Sequence, residues 1–397
     1  MQAPGGMRIT HVVRQYPPGI GGMEAFVRSL AEHQAAAGHC VRVVTLNRIF
    51  DGSPAKLPPV DWRGRVDIRR VGFVGGIRYP LAPGILRQLG RPDVIHVHGI
   101  EFAADYLAWT KWLHRTPMVI STHGGFFHTH FARTFKAIWF STMTRWTLRS
   151  YAAVLASSVQ DAEMFRRIAP DTVHVIENAV DVDRFSGLAT REGKTMIYFG
   201  RLAPNKELPR LLRWFACLSQ RDTGWRLIVA GKEMGVSLRS LETLARDLRI
   251  GEAVEFHAAP SDATLASLIA RSQVYACASS YEGFGLAAVE GIAAGLYPVL
   301  SDIPAFRRTL ERIGAGTAID FEDDTTVDRF LDDFSRRGRD EAHRQALSAR
   351  LSTFGWPRVL RDIDDRYHAA RATAVAGSTP SYRFVEEAQH GKAGQPG

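Results

Sequence analysis

Two carboxylates stand in a segment that holds little else polar: Glu282 and Glu290, in "SSYEGFGLAAVEGIAAGLYPVL", residues 279–300. The segment reads as strand, tight turn, helix and strand, a pattern that belongs in a core. An unpaired carboxylate there costs several kcal/mol or gives up its charge. No Lys or Arg neighbours either one in the local sequence, so a polar partner is expected from elsewhere. Other groups able to do chemistry are the cations Arg201 and Lys206 in "GRLAPNKE", His98 in "DVIHVHG", His123 in "MVISTHG", the pair Gly21 and Gly22 in "PPGIGGM", and Glu24 just beyond it. Cations and glycine-rich turns receive anions, and imidazoles exchange protons near neutrality. Each has a plain structural alternative: a glycine pair also makes a tight turn, a strand-end histidine can be satisfied within a core, and a loop cation can be solvated. Their recurrence at equivalent places favours one shared site.

Those places follow from the elements. "RITHVV" is a short apolar run; a glycine-rich turn follows, then "EAFVRSLAEHQAAAG" with helical period and a stop at Gly38. "CVRVVTL", "DVIHVHG", "MVISTHG", "AVLASS" and "TVHVIEN" read as further strands, with helical patterns between several of them. After a polar stretch at 184–194 the pattern restarts with "TMIYFG", the helix "ELPRLLRWFACLSQR", "WRLIVAG", helices over 238–248 and 262–271, "AVEFHAA", "QVYACAS" and "YPVLSD". Alternating strands and helices predict two doubly wound α/β halves that meet near residue 190. Ligands of such sheets lie beyond the carboxyl ends of the strands, which is where 21–22, 98, 123–125, 201–206, 231–233 and 282–285 fall.

Composition bounds the partner. With 397 residues, 45% hydrophobic and 23% charged, the chain suits two soluble globular domains. Cys40, Cys217 and Cys277 are odd in number and widely spaced, and are expected as reduced, buried thiols. No secretory signal precedes Met7 and no apolar run spans a bilayer, so a cytoplasmic protein is expected. The net charge of +9 lies in one half: residues 1–180 carry 21 Lys and Arg against 12 Asp and Glu, and the remainder carries 29 against 29. Residues 106–160 contain no acid and six bases, which suggests nucleic acid, phospholipid or a phosphorylated substrate. No nucleic-acid module is present, so nucleic acid is not expected. His96 and His98 share a strand face, but with no third ligand evident nearby a metal site is not expected.

At this point the motifs carry a resemblance. "EGFGLAAVE", with seven residues between Glu282 and Glu290, resembles the E-x7-E signature of the retaining glycosyltransferase family 4. "GRLAPNKE" is similar to that family's Arg and Lys segment, though Glu207 stands where a glycine often follows the lysine. "IENAVDVDRF" is similar to its hinge, with Ala179 in place of the usual glycine. The resemblance spans about 7–370 and implies a GT-B fold, α/β, with two Rossmann-like doubly wound domains facing a central cleft. Residues 1–186 would bind the acceptor, completed by a C-terminal helix at 356–376; residues 187–355 would bind a nucleotide-sugar; the tail at 377–397 is expected to be disordered. In the first domain, "HVVRQYPPGIGGMEAFV", "RYPLAPGIL", "HVHGIEF" and "STHGGFFHTHFARTFKAIWFSTMTR" resemble the α-mannosyltransferases of xanthan- and acetan-type exopolysaccharide assembly. That implies transfer of mannose from GDP-mannose, in α-1,3 linkage, to a cellobiosyl-diphospho-polyprenol.

The resemblance assigns roles. Glu290 would accept hydrogen bonds from the ribose diol and Glu282 from the transferring sugar. Gly283, Phe284 and Gly285 would open a helix whose free N–H groups face the diphosphate, and Arg201 and Lys206 would stabilise its growing charge. They stand in for a metal, and no cofactor is expected. Gly21 and Gly22 would let the backbone approach the donor phosphate or the acceptor, and His123 would touch the sugar; His98 and Glu24 are weaker candidates. The "DVD" at 181–183 matches the Asp-x-Asp triplet of metal-dependent glycosyltransferases, but lies at the hinge, away from the diphosphate. A polyprenol acceptor requires a peripheral surface on the inner face of an anionic membrane, expected at Arg133, Lys136, Trp139 and Arg145. A family 4 glycosyltransferase with another donor or acceptor, an epimerase, a phosphorylase and an inactive sugar-nucleotide or membrane-binding protein are the other readings. The co-occurrence of Arg201, Lys206, Glu282 and Glu290 argues against the last.

Overall fold

The computed structural model describes residues 6–19, 21–50, 55–77, 79–123, 139–189, 192–337 and 350–376. Two sheets form. The first contains β1 (Arg8–Val13), β2 (Cys40–Leu46), β3 (Val60–Arg63), β4 (Val66–Val71), β5 (Val94–His98), β6 (Met118–Ser121), β7 (Ala153–Ala156) and β8 (Val173–Val175), in the order β3-β4-β2-β1-β5-β6-β7-β8. All its pairings are parallel except β3 with β4. The second contains β9 (Thr195–Phe199), β10 (Arg226–Gly231), β11 (Val254–Ala258), β12 (Val274–Cys277), β13 (Tyr297–Ser301) and β14 (Thr317–Ile319), parallel in the order β11-β10-β9-β12-β13-β14. In both, the strand order reverses beside the first strand, the place where α/β sheets open a ligand crevice.

The predicted strands and helices are found, with three differences. The β3–β4 hairpin was not expected, because "VDWR" and "VDIRRV" hide their apolar residues among charges and β3 is exposed throughout. The expected strand "TVHVIEN" is short, ending at Val175. Cys40 is exposed, not buried as expected: it is the first residue of β2 and lies at the amino end of the sheet, while Cys217 is half-buried and Cys277 buried. The expected disorder of 377–397 lies outside the described residues.

Helices cover both faces of the first sheet. One face holds α1 (Gly22–Ala36) and the last helix of the described residues, Trp356–Ala376, whose Trp356, Val359, Ile363, Tyr367 and Ala370 join Ile9, Val43 and Val119 in a single cluster. The other face holds α2 (Phe102–Trp109) and α3 (Val159–Arg166). The second sheet is wrapped by α4 (Leu208–Arg221), α5 (Leu238–Asp247), α6 (Asp262–Ala270), α7 (Leu286–Ala293), α8 (Pro304–Ile313) and α9 (Thr326–Arg337); the Trp356–Ala376 helix is α10. The strands joining the two sheets meet in a bridge between Val180 and Gly355, where Val180 N–H donates to Phe354 O at 2.9 Å. Ala179 beside it has no left-handed backbone. Alanine in the family's glycine position therefore fits without strain.

Candidate active site

The second sheet supplies two loops that are bonded to each other. One leaves β9 and turns through a single helical turn at Pro204–Lys206; the other leaves β12 and runs to α7. Ser280 N–H donates to Asn205 O at 3.0 Å, Asn205 Nδ2 donates to Tyr281 O at 3.1 Å, and Tyr198 Oη donates to Arg201 O at 2.7 Å. At the root of the first loop the backbones of Gly200 and Gly231 nearly touch: a Cβ at Gly231 would lie 1.8 Å from Gly200 O, so only glycine fits. These constraints bring Lys206 to Glu282. The ammonium donates to Glu282 Oε1, and Ser279 Oγ donates to the same oxygen at 2.8 Å. The pair is largely enclosed, at 12% and 11% side-chain exposure. Arg201 is exposed and meets no acidic partner among the described residues. Glu207 adopts the left-handed conformation (φ 49°) that a glycine would take more cheaply.

Helix α7 begins at this junction. Its N-cap Gly285 has φ 83°, and a Cβ there would lie 2.6 Å from the ring of Phe306. Gly283 faces open space, and Phe284 is buried with its ring 5.7 Å from that of Phe354. One turn further in, Glu290 accepts from Arg184 at 3.2 Å; Arg184 also binds Asp262 at 2.6 Å and lies over the Phe185 ring at 4.6 Å. Burial raises the Glu290 carboxyl above its ordinary range, and Arg184 opposes that shift. The expected polar partners of the two carboxylates are thus Lys206 and Arg184, 76 and 106 residues away. Arg184 was missed by sequence reasoning. The signal was its place directly after "DVD", since that hinge segment runs beside α7: Gly187 N–H donates to Ala293 O at 3.2 Å.

The first sheet supplies histidines. Register places His11 opposite His96 and Val13 opposite His98, at adjoining strands. His98 Nδ1 lies 3.0 Å from Nε2 of His123, which has left-handed backbone (φ 53°) at the carboxyl end of β6 and packs edge-on to Phe26. Non-glycine residues held in this conformation cluster at functional sites. A third imidazole does stand near His96 and His98, contrary to expectation: ring nitrogens of His11, His96 and His98 lie within 4.8 Å of one another. Sequence distance hid it, as His11 is one residue of an otherwise apolar β1. Every ring nitrogen of the three is already matched to a partner, so a metal ion would have to displace bonds the fold makes.

Other candidates are placed less centrally. Gly21 is the N-cap of α1, and the Glu24 carboxylate folds back so far that a Cβ at Gly21 would lie 2.1 Å from it; Gly22 has open space. An anion reaching this helix start must first move Glu24. Trp139 is half-buried and Arg145 exposed; Arg133 and Lys136 lie outside the described residues. The two sheets are tied by Arg308 to Gln160 and Arg312 to Glu177, both at 2.6 Å. Glu177, Arg308 and Arg312, with Gly283, Phe284 and Phe354, line a pocket of 140 Å³ at the junction.

Comparison with known proteins fits this geometry. Residues 20–184 match the model of Glycosyltransferase Family 4 and residues 180–350 that of Glycosyl transferases group 1. The chain is 42% identical to the GDP-mannose:cellobiosyl-diphosphopolyprenol alpha-mannosyltransferase of Xanthomonas oryzae pv. oryzae, over 92% of this chain and 97% of that one. It is 37% identical to the protein of the same name from Komagataeibacter xylinus, over 93% and 95%. Among solved structures it resembles the sucrose-phosphate synthase of Thermosynechococcus elongatus (TM-score 0.71, 18% identity, 92% of this chain and 100% of that one). It also resembles Anabaena Alr3699/HepE in complex with UDP and glucose (TM-score 0.68, 16% identity, 91% and 100%). Two predominantly parallel sheets, the E-x7-E helix and near-complete alignment to these relatives lead to one assignment: the chain belongs to glycosyltransferase family 4 and is a transferase of the GT-B fold.

Proposed function

We propose that this enzyme transfers mannose from GDP-mannose, with retention, to a cellobiosyl-diphospho-polyprenol in exopolysaccharide synthesis. The observation that carries the reading is the 37–42% identity to three such mannosyltransferases, which runs through both domains. Residues 187–355 hold the nucleotide-sugar, and residues 1–186 with α10 receive the acceptor. Glu290 takes the ribose hydroxyls in place of Arg184, and Glu282 takes hydroxyls of the mannose. Lys206, nearly enclosed and neutralised by Glu282, turns to the diphosphate as its bond to the sugar lengthens; Arg201, exposed and without an acidic partner among the described residues, joins it. Charge placed in a desolvated site against a developing anion lowers a barrier by several kcal/mol. The leaving phosphate takes the proton of the acceptor hydroxyl on the same face, so no enzymic nucleophile is needed. His123 lines the sugar from the opposite domain.

The lipid acceptor implies a membrane surface. Among the described residues no helix is long and apolar enough to cross a bilayer. On the first domain Trp109, Trp112, Leu113 and Trp146 are exposed, beside the exposed cations Arg115, Arg145 and Arg149. The two segments are held together by Lys111 Nζ donating to Ser150 O at 2.5 Å and by Trp109 and Trp146, 6.5 Å apart. Indoles among cations suit the headgroup layer of an anionic leaflet.

The test is incubation with labelled GDP-mannose and a synthetic cellobiosyl-diphospho-lipid, followed by linkage analysis of the lipid-extractable product. An α-1,3-mannosyl trisaccharide is expected. Label that stays on the nucleotide as an epimerised sugar, or transfer only to a different carrier, refutes the reading.

A further inference from the structure

Imidazoles form a line of hydrogen bonds from the end of β6 into the first sheet. His123 Nε2 lies 3.0 Å from His98 Nδ1, His98 Nε2 lies 2.9 Å from His11 Nδ1, and His11 Nε2 lies 2.8 Å from Gln34 Oε1. Gln34, on α1, points its amide nitrogen at Tyr367 Oη, 3.4 Å away on α10. Tyr367 in turn reaches His96 Nδ1 at 2.6 Å, and His96 Nε2 meets Ser121 Oγ at 2.7 Å. His11, Gln34, His96, His98 and Tyr367 are all buried.

A neutral imidazole carries one N–H and one lone pair, so this line has only two complete proton orders, with the donors all pointing one way or all the other. The oxygen of Gln34 selects between them. His11 must give its Nε2–H to that oxygen, which leaves its Nδ1 to accept from His98 Nε2–H. His98 Nδ1 then accepts from His123 Nε2–H. Beyond Gln34 the order continues without conflict: Tyr367 donates to His96 Nδ1, and His96 Nε2–H donates to Ser121. An imidazolium within the line would set two donors face to face, and burial holds all four histidines below their ordinary range, His11 and His123 at about 4. What remains is the Nδ1 lone pair of His123, which has no partner among the described residues.

We propose that Gln34, acting through His11 and His98, is a positioning residue that fixes His123 as the Nε2–H tautomer, so that its Nδ1 accepts a hydrogen bond from a hydroxyl of the transferring sugar. The sugar contact rests on the donor reading above; the proton order does not. Three imidazole rings separate Gln34 from the substrate, and it touches none of it.

The test uses the full chain with 15N-labelled histidine. In the wild type, NMR should show His123, identified by the signal lost in His123→Gln, with a protonated Nε2 and a bare Nδ1. Gln34→Glu keeps an acceptor oxygen toward His11 and should keep that pattern. Gln34→Met, of similar length but with neither donor nor acceptor, should let His123 populate both tautomers. It should weaken GDP-mannose binding about 3- to 10-fold, the loss of one neutral hydrogen bond, while GDP binding stays unchanged. A protonated Nδ1 on wild-type His123 overturns the proposal. So does equal weakening of GDP and GDP-mannose by Gln34→Met, which would mark a general loss of structure. Should Gln34→Met fail to fold, the spectra of the wild type and of Gln34→Glu decide alone. A wild type with the expected tautomer that binds GDP-mannose no better than GDP overturns the donor reading and the sugar contact, and leaves the proton order standing.

Discussion

Lys206 and Glu282 are bonded to each other, and this fixes what each substitution should do. Lys206→Ala removes a charge whose partner, the diphosphate, grows more negative as the bond breaks; turnover should fall 100-fold or more, by analogy with loss of a single oxyanion donor of roughly 3 kcal/mol, with little change in GDP-mannose affinity. Glu290→Gln should instead weaken donor binding about 10-fold and leave single-turnover chemistry near its original rate. Rapid-quench kinetics with titration of GDP-mannose separates the two; loss of affinity alone in Lys206→Ala would remove it from the chemical step. Glu282 and Glu290 were legible in the sequence because their spacing puts a turn carboxylate and a helix carboxylate on one motif. Lys206 came from the loop motif and Glu282 from another, and nothing local said that they touch. Arg184 was illegible for a stronger reason: its two carboxylate partners lie 78 and 106 residues downstream.

Strands and helices explain why the histidines hold together. β1 and β5 run in parallel with His11 opposite His96, so the ring positions follow from the register, and α1 and α10 close over them with Gln34 and Tyr367. Parallel strands buried on both faces show no polar alternation, which is why the sequence marked the strand ends at His98 and His123 but passed over His11. The same burial sets an acid limit. An unfolded chain titrates its histidines near 6.5, whereas His11 and His123 are held at about 4 and His96 and His98 well below 6.5, chiefly by desolvation. The hydrogen bond to Gln34, and then the charge of Asp364, partly offset the shift at His11. Between pH 6.5 and 4 the unfolded state therefore binds more protons, and stability falls as pH falls, by up to about 1.4 kcal/mol per pH unit for each histidine involved. Urea denaturation across that window should show the decline, fully recovered above pH 6.5. A flat profile would mean that the imidazoles are solvated in the folded state.

Across the whole molecule, charge is distributed by domain: the excess of +9 lies in residues 1–180. With the cations Arg115, Arg145 and Arg149 exposed beside three tryptophans, the enzyme should sediment with vesicles rich in anionic lipid and be released by salt. Each basic residue near an anionic surface is worth about 1 kcal/mol. Changing all three to Glu should reduce partitioning on the order of 100-fold or more, while GDP-mannose binding persists; unchanged partitioning would place the membrane surface elsewhere, with 124–138 as the next segment to alter. The two-domain plan was legible from the restart of the strand pattern near residue 190, but the return of α10 to the first sheet came only from the resemblance, because an amphipathic helix does not state which sheet it will cover. That return sets an order of events during translation. The first domain's apolar face, lined by Ile9, Val43 and Val119, is covered in part by α1 but stays incomplete until Trp356–Tyr367 has left the ribosome, after the entire second domain has been made. The last described helix completes the first domain begun, so a ribosome that stalls between the first domain and α10 releases a chain with part of that sheet face exposed, a natural client for chaperones and proteases.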